Sequence, residues 1–158
     1  MPFKERAREA QKNLSLPLEE VAASAVGEGD RRSSMKVLVI GGGGREHAVC
    51  RKLSESKDVT ELLCAPGNAG IARVARCIPD VKATDIDGIV ALAKREKVDF
   101  VCVTPDDPLA LGCVDRLEAE GIAAFGPTAY AAQMEASKIF SKNLMRKYGI
   151  PTAKCEIF

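Results

Sequence analysis

The sequence has no tryptophan, and aromatic residues make up only 4% of it. Stacking of nucleobases on an aromatic platform is therefore a poor basis for its function. There is a single histidine, and none of the six cysteines (Cys50, Cys64, Cys77, Cys102, Cys113, Cys155) pairs in a CxxC knuckle, which argues against a structural zinc site. The net charge is +1, so no long-range field gathers nucleic acid or an anionic membrane. No apolar run reaches the roughly 18 residues of a membrane span. Residues 1–10 are charged and lack the apolar stretch of a secretory signal. These absences point to a cytoplasmic protein with reduced thiols that act as small core hydrophobes. Hydrophobic residues make up 46% of the 158, enough to build the core of one α/β domain with short extras.

The first 34 residues differ from the rest. Residues 6–13 and 16–26 read as two short helices, and 27–34 as a polar, turn-rich linker. The segment 1–34 is expected to be a disordered extension, since it buries too little apolar surface to offset ordering. Arg31 and Arg32 stand just ahead of Met35. Encoded AGG-AGG, they would be a ribosome-binding sequence before a start codon, and translation would begin at Met35. A genuine extension is the alternative.

From Met35 the pattern alternates between strand and helix. Residues 36–40 (Lys-Val-Leu-Val-Ile) form a run suited to a strand covered on both faces. Helix is expected over 45–56, strand over 61–65, helix over 85–97 and strand over 100–103. A single helix over 107–120 ends at Gly121, and strand follows over 122–125. The fold class is α/β: a doubly wound parallel sheet with right-handed crossovers, over residues 35–127. In such sheets ligands bind beyond the carboxyl ends of the strands. Three loops there, 41–44, 66–70 and 104–108, are expected to form one rim. Residues 128–158 read as helices 129–135 and 138–148, N-capped by Thr128 and Ser137, with Gly149 closing the second. Residues 153–158 read as a first strand with no sheet to join, so further chain is expected beyond Phe158.

Gly41-Gly42-Gly43-Gly44-Arg45-Glu46 joins a buried strand to a helix. Glycines let backbone N–H groups approach a ligand closely. The helix amino terminus adds partial positive charge and Arg45 a full one, which makes an anion site, most simply for phosphate. A dinucleotide fingerprint fits poorly. Glu46 occupies the third glycine position, and Ala65-Pro66-Gly67-Asn68 stands where an acidic residue would bond the ribose. The Gly-Lys-Ser/Thr ending of a Walker A loop is absent. A purely structural glycine turn remains the alternative.

The segments KVLVIGGGGREHAVCRKL, CAPGNAGIA, TPDDPLALG, FGPT and EASKIFSKNLMRKYGIPTA together resemble the phosphoribosylamine–glycine ligase family over residues 35–158. The resemblance implies an ATP-grasp ligase that joins glycine to 5-phosphoribosylamine with ATP and Mg or Mn, through a glycyl phosphate, giving glycinamide ribonucleotide, ADP and phosphate. On that likeness residues 35–127 form the substrate-binding domain and 128–158 begin the ATP-grasp region. Gly42, Gly43, Gly44 and Arg45 would hold the sugar phosphate, and Glu46 and His47 would orient the loop or touch the ribose. For His47 a structural hydrogen-bonding role competes. Pro66, Gly67, Asn68 and Gly70 would form a second wall, with the Asn68 amide bonding hydroxyls. The third loop departs from the commoner Gly-Pro-Glu form. It reads Thr104-Pro105-Asp106, then Asp107-Pro108-Leu109, so Asp106 offers its carboxylate on a shorter arm. Asp106 and Asp107 serve equally well to cap the helix that follows. Lys138 and, less specifically, Lys142 would approach the ATP phosphates; a solvated helix face is the alternative for both.

No cluster of acidic residues suited to the metal bridging the ATP phosphates is visible. The chain is therefore expected to be a ligase fragment that is inactive alone, with no catalytic residue of its own. Its partners would be small molecules (5-phosphoribosylamine, glycine, ATP), with neither nucleic acid nor membrane, and it would be a monomer. A non-catalytic module that binds a sugar phosphate or nucleotide is the alternative.

Overall fold

Strand β1, Met35–Gly41, lies at the centre of a five-stranded sheet because its residues are apolar on both faces. A computed structural model describes residues 34–154. The two helices expected before residue 34, and the end of the strand expected over 153–158, lie outside the described residues. Ala153 and Lys154 have no regular secondary structure. The sheet is completed by β2 (Val59–Pro66), β3 (Arg76–Cys77), β4 (Phe100–Val103) and β5 (Ala123–Phe125), in the order β3-β2-β1-β4-β5. Every pairing is parallel.

Successive side chains of β1 point to opposite faces. Leu38 and Ile40 pack with Leu63 and Val101 against α2 (Ile86–Glu96) and α4 (Cys113–Ala119). Val37 and Val39 pack with Leu62, Cys64 and Cys102 against Cys50 of α1 (Gly44–Ser54) and Ile71 of a short 3₁₀ turn (Ile71–Arg73). Helices on both faces make the sheet doubly wound, as the sequence pattern predicts. The strand order reverses beside β1, and this places the open crevice at its carboxyl end. Lys36, Glu61 and Arg76 form exposed ion pairs that add little stability.

Cys50, Cys64, Cys102 and Cys113 are buried free thiols and Cys77 is half-buried, in keeping with their reading as small core hydrophobes. Burial pushes the Cys113 thiol up to about 11. Hydrogen bonding to Cys50, and then burial, raise Cys64 far above the ordinary thiol range.

Two features correct the sequence reading. The 3₁₀ turn and β3 were not expected, since two paired residues are too short to show a period. The helix expected over 107–120 is two helices, α3 (Asp106–Ala110) and α4, broken at Gly112, whose φ is +80°. Apolar spacing continues across the break, so Leu109, Val114 and Leu117 all reach one core and hide it from a periodicity argument. Beyond β5, α5 (Ala129–Ala136) buries Ala132 in the same core. The next helix, α6 (Lys138–Tyr148), buries no residue fully.

Gly112→Ala is expected to destabilise by about 1–2 kcal/mol, the cost of a left-handed backbone at a residue bearing a Cβ. An added Cβ there makes only ordinary contacts, the nearest 3.7 Å from Ala129 Cβ. Urea denaturation checks this. A stabilised variant would mean that the helix runs through unbroken, where glycine is the weaker helix former.

Candidate functional site

The parallel register sets the first two loops side by side at one end of the sheet. Gly41 is the register partner of Pro66, and Gly67 N–H donates to the Gly41 carbonyl at 3.0 Å. Pro66 follows a cis peptide bond. Asn68 knits the loops further. Its Nδ2 donates to the Gly42 carbonyl at 2.7 Å, and its Oδ1 accepts from Gly70 N–H at 2.8 Å and Ile71 N–H at 2.9 Å. The amide assigned to ligand hydroxyls thus builds the second wall, with one Nδ2 hydrogen left over. Below it, Cys77 Sγ approaches the Asn68 carbonyl at 3.6 Å and Cys64 Sγ the Gly41 carbonyl at 3.2 Å.

The third loop is tied to the first by side chains. Glu46 is only 5% exposed, yet both of its carboxylate oxygens have donors. Gly43 N–H donates to Oε2 at 2.7 Å and the Thr104 hydroxyl to Oε1 at 2.8 Å. The first bond is half of a capping box at the start of α1. Arg45 lies over the same junction. Its Nη1 donates to the Thr104 carbonyl at 3.1 Å and stands 3.6 Å from Asp106 Oδ1, while its side chain stays 61% exposed. The structure therefore brings the three loops 41–44, 66–70 and 104–108 into one rim. Thr104 was missed by the sequence reading, and a lone hydroxyl at a strand end gives little signal.

The rim suits an anion. The first amides of a helix have no intrahelical acceptor, and the helix terminus is partially positive. Gly43 N–H is taken by Glu46, which leaves Gly44, Arg45 and Glu46 to present their N–H groups beside the Arg45 guanidinium. Glu46 packs against Gly41, where an added Cβ would lie 2.6 Å from Glu46 Cγ, so a long side chain stands where a dinucleotide fingerprint has a small residue.

Other candidate residues take simpler places. The His47 ring lies against Gly70, where an added Cβ would come within 2.9 Å of Cε1. Pro108 is buried in α3. The N-cap of α3 is Pro105, so neither Asp106 nor Asp107 is the cap; both sit in the first turn, where the dipole favours carboxylates. Asp106 also borders a mostly apolar cavity of about 120 Å³ that reaches Pro127, Met134 and Glu135. Lys138 is exposed at the first position of α6. Lys142 Nζ bonds Thr152 Oγ1 at 2.7 Å and the Ala153 carbonyl at 3.0 Å. Neither lysine hydrogen-bonds the rim among the described residues. Among the described residues no group of three or more His, Cys, Asp or Glu is placed to hold a metal ion. No described helix is long and apolar enough to cross a membrane.

The glycines of the rim are not equivalent. Gly41→Ala is expected to cost about 2–3 kcal/mol through positive φ and the clash with Glu46. Gly44→Ala, whose Cβ meets nothing within 4 Å, is expected to be neutral or to stabilise by up to about 1 kcal/mol. Chemical denaturation of the two variants reads the difference; equal costs would contradict the packing described.

The family model Phosphoribosylglycinamide synthetase, N domain, matches residues 35–135. The phosphoribosylamine–glycine ligase of Xanthomonas campestris pv. campestris is 54% identical over 120 residues, covering 75% of this chain and 28% of that protein. The crystal structure of phosphoribosylamine–glycine ligase from Thermotoga maritima aligns with a TM-score of 0.52 at 27% identity, over 76% of this chain and 26% of that one. The biotin carboxylase domain of a thermophilic 2-oxoglutarate carboxylase shares the fold, with a TM-score of 0.58 at 17% identity over 75% of this chain and 29% of that one. This chain thus spans well under half the length of the curated relatives it matches. Over residues 35–135 it belongs to the phosphoribosylglycinamide synthetase family, as that family's N domain.

Proposed function

We propose that this chain supplies the 5-phosphoribosylamine side of a ligase that joins glycine to that amine in purine biosynthesis. The observation that supports the reading best is the rim, where the first-turn amides of Gly44, Arg45 and Glu46 have no intrahelical acceptor and the largely exposed Arg45 side chain lies at the same helix start, at the carboxyl end of β1. The sugar phosphate would lie on the amides of Gly44, Arg45 and Glu46, with Arg45 neutralising its charge. Gly42, Gly43, Pro66, Gly67, Asn68 and Gly70 would shape the walls, and His47 would pack the second wall from beneath. Asp106, held near Arg45, would face the ribose or its amine. In the ligase reaction the glycine carboxyl is activated as a glycyl phosphate at the expense of ATP. The amine then attacks the acyl carbon, an amide forms and phosphate leaves. This chain's part is to hold the amine's sugar still while that bond forms.

The domain division is proposed at 127/128, with α5 leaning back on the first domain and α6 starting the nucleotide-binding region. Lys138 would meet ATP phosphates there, and Lys142 would brace residues 152–153. The 158 residues by themselves are proposed to bind and not to turn over. We place the protein in the cytoplasm as a monomer. A non-catalytic sugar-phosphate sensor would use the same rim.

Ribose 5-phosphate tests the reading without requiring catalysis. Calorimetric titration should show binding to the 158-residue chain, weakened about tenfold or more in Arg45→Ala, as expected for loss of a charge-assisted contact worth roughly 1.5–3 kcal/mol. NAD should not bind. Binding of NAD with no binding of ribose 5-phosphate would overturn the assignment.

A further inference from the structure

Thr104 stands directly after β4 and does two things at once. Its hydroxyl donates to the buried Glu46 carboxylate at 2.8 Å, and its carbonyl accepts from Arg45 Nη1 at 3.1 Å. The hydroxyl oxygen also lies 3.4 Å from the Ile40 carbonyl. A hydroxyl has one proton, and the shorter contact to a carboxylate takes it. Glu46 passes the constraint on, since its other oxygen holds Gly43 N–H at 2.7 Å. The path Thr104–Glu46–Gly43 thus runs from the third loop to the residue just before the first helical amides.

We propose that Thr104 is a positioning residue for an anion held at the glycine loop, acting through Glu46 and not by touching the ligand. The inference rests on the sugar-phosphate reading given above. With the hydroxyl removed, Glu46 Oε1 loses its close donor, and what remains for it is the Arg45 Nε, 3.9 Å away. The carboxylate then swings toward Arg45. This lets go of Gly43 N–H and occupies the guanidinium that would otherwise serve the phosphate. Two donors are misplaced by one deletion.

Two readouts on the 158-residue chain test it. In the ligand-free protein, Thr104→Val should shift the Gly43 amide resonance and speed its hydrogen exchange, while Thr104→Ser should leave both near wild type. In calorimetry, Thr104→Val should bind ribose 5-phosphate about tenfold more weakly, the loss expected for one bond to a charged group. Thr104→Ser should bind within about twofold of wild type. Thr104→Ala serves in the same role if the valine variant does not fold. Wild-type affinity in both the valine and alanine variants, with Arg45→Ala still impaired, would overturn the positioning role and leave the phosphate site standing. An undisturbed Gly43 amide would overturn it too. No binding by the wild-type chain would overturn the sugar-phosphate reading itself.

Discussion

The Glu46 carboxylate is withdrawn from water, bonded at one oxygen to a backbone amide of the first loop and at the other to a hydroxyl of the third. A buried charge is tolerated only when its lone pairs are met, and leaving one unmet costs about 1–3 kcal/mol or more. The two loops are therefore held in register by the need to satisfy this one group. Among the described residues no buried side-chain nitrogen or oxygen is left without a partner. On the other side Asn68 does the same with three bonds to loop and turn backbone. Between these two ties the first turn of α1 is held in place. The rim is then organised before any ligand arrives, and its binding energy is not spent on ordering loops.

Much of the fold was legible because its signals are local or periodic. The apolar run of β1 is buried on both faces. Thr128 and Ser137 act as N-caps, their side chains accepting from Ala131 and Phe140 amides, and Gly149 closes α6 with a φ of +65°. The break at Gly112 was hidden, because a left-handed glycine between two short helices can preserve the apolar stripe across a change of direction. The edge strand β3 was hidden for a different reason. Its two residues are strand only because Leu63 and Cys64 offer them partners.

The site was legible in outline and not in division of labour. The glycine run before Arg45 and Glu46 joins the end of β1 to the start of α1, as the sequence pattern indicates, and its use as an anion site is the proposal made above. The sequence could not say that Glu46 and Asn68 turn inward to the loops, or that Thr104 is what Glu46 meets. Each depends on a contact between segments 26 to 58 residues apart. The lysines of α6 carry the least information. That helix rests on its caps, on the Tyr130–Phe140 edge contact at 6.1 Å and on the Lys142 bonds to residues 152 and 153. An eleven-residue helix is marginal without a packed face, so its neighbours decide what Lys138 meets.

On the proposed reading, backbone amides at the start of α1 grip the phosphoryl group. Amide-resolved NMR titration with ribose 5-phosphate tests it most directly. The largest saturable shifts are expected at Gly44, Arg45 and Glu46, with smaller ones at Asn68 and Thr104. Shifts confined to α6, or to the opposite end of the sheet around Lys36 and Glu61, would contradict it.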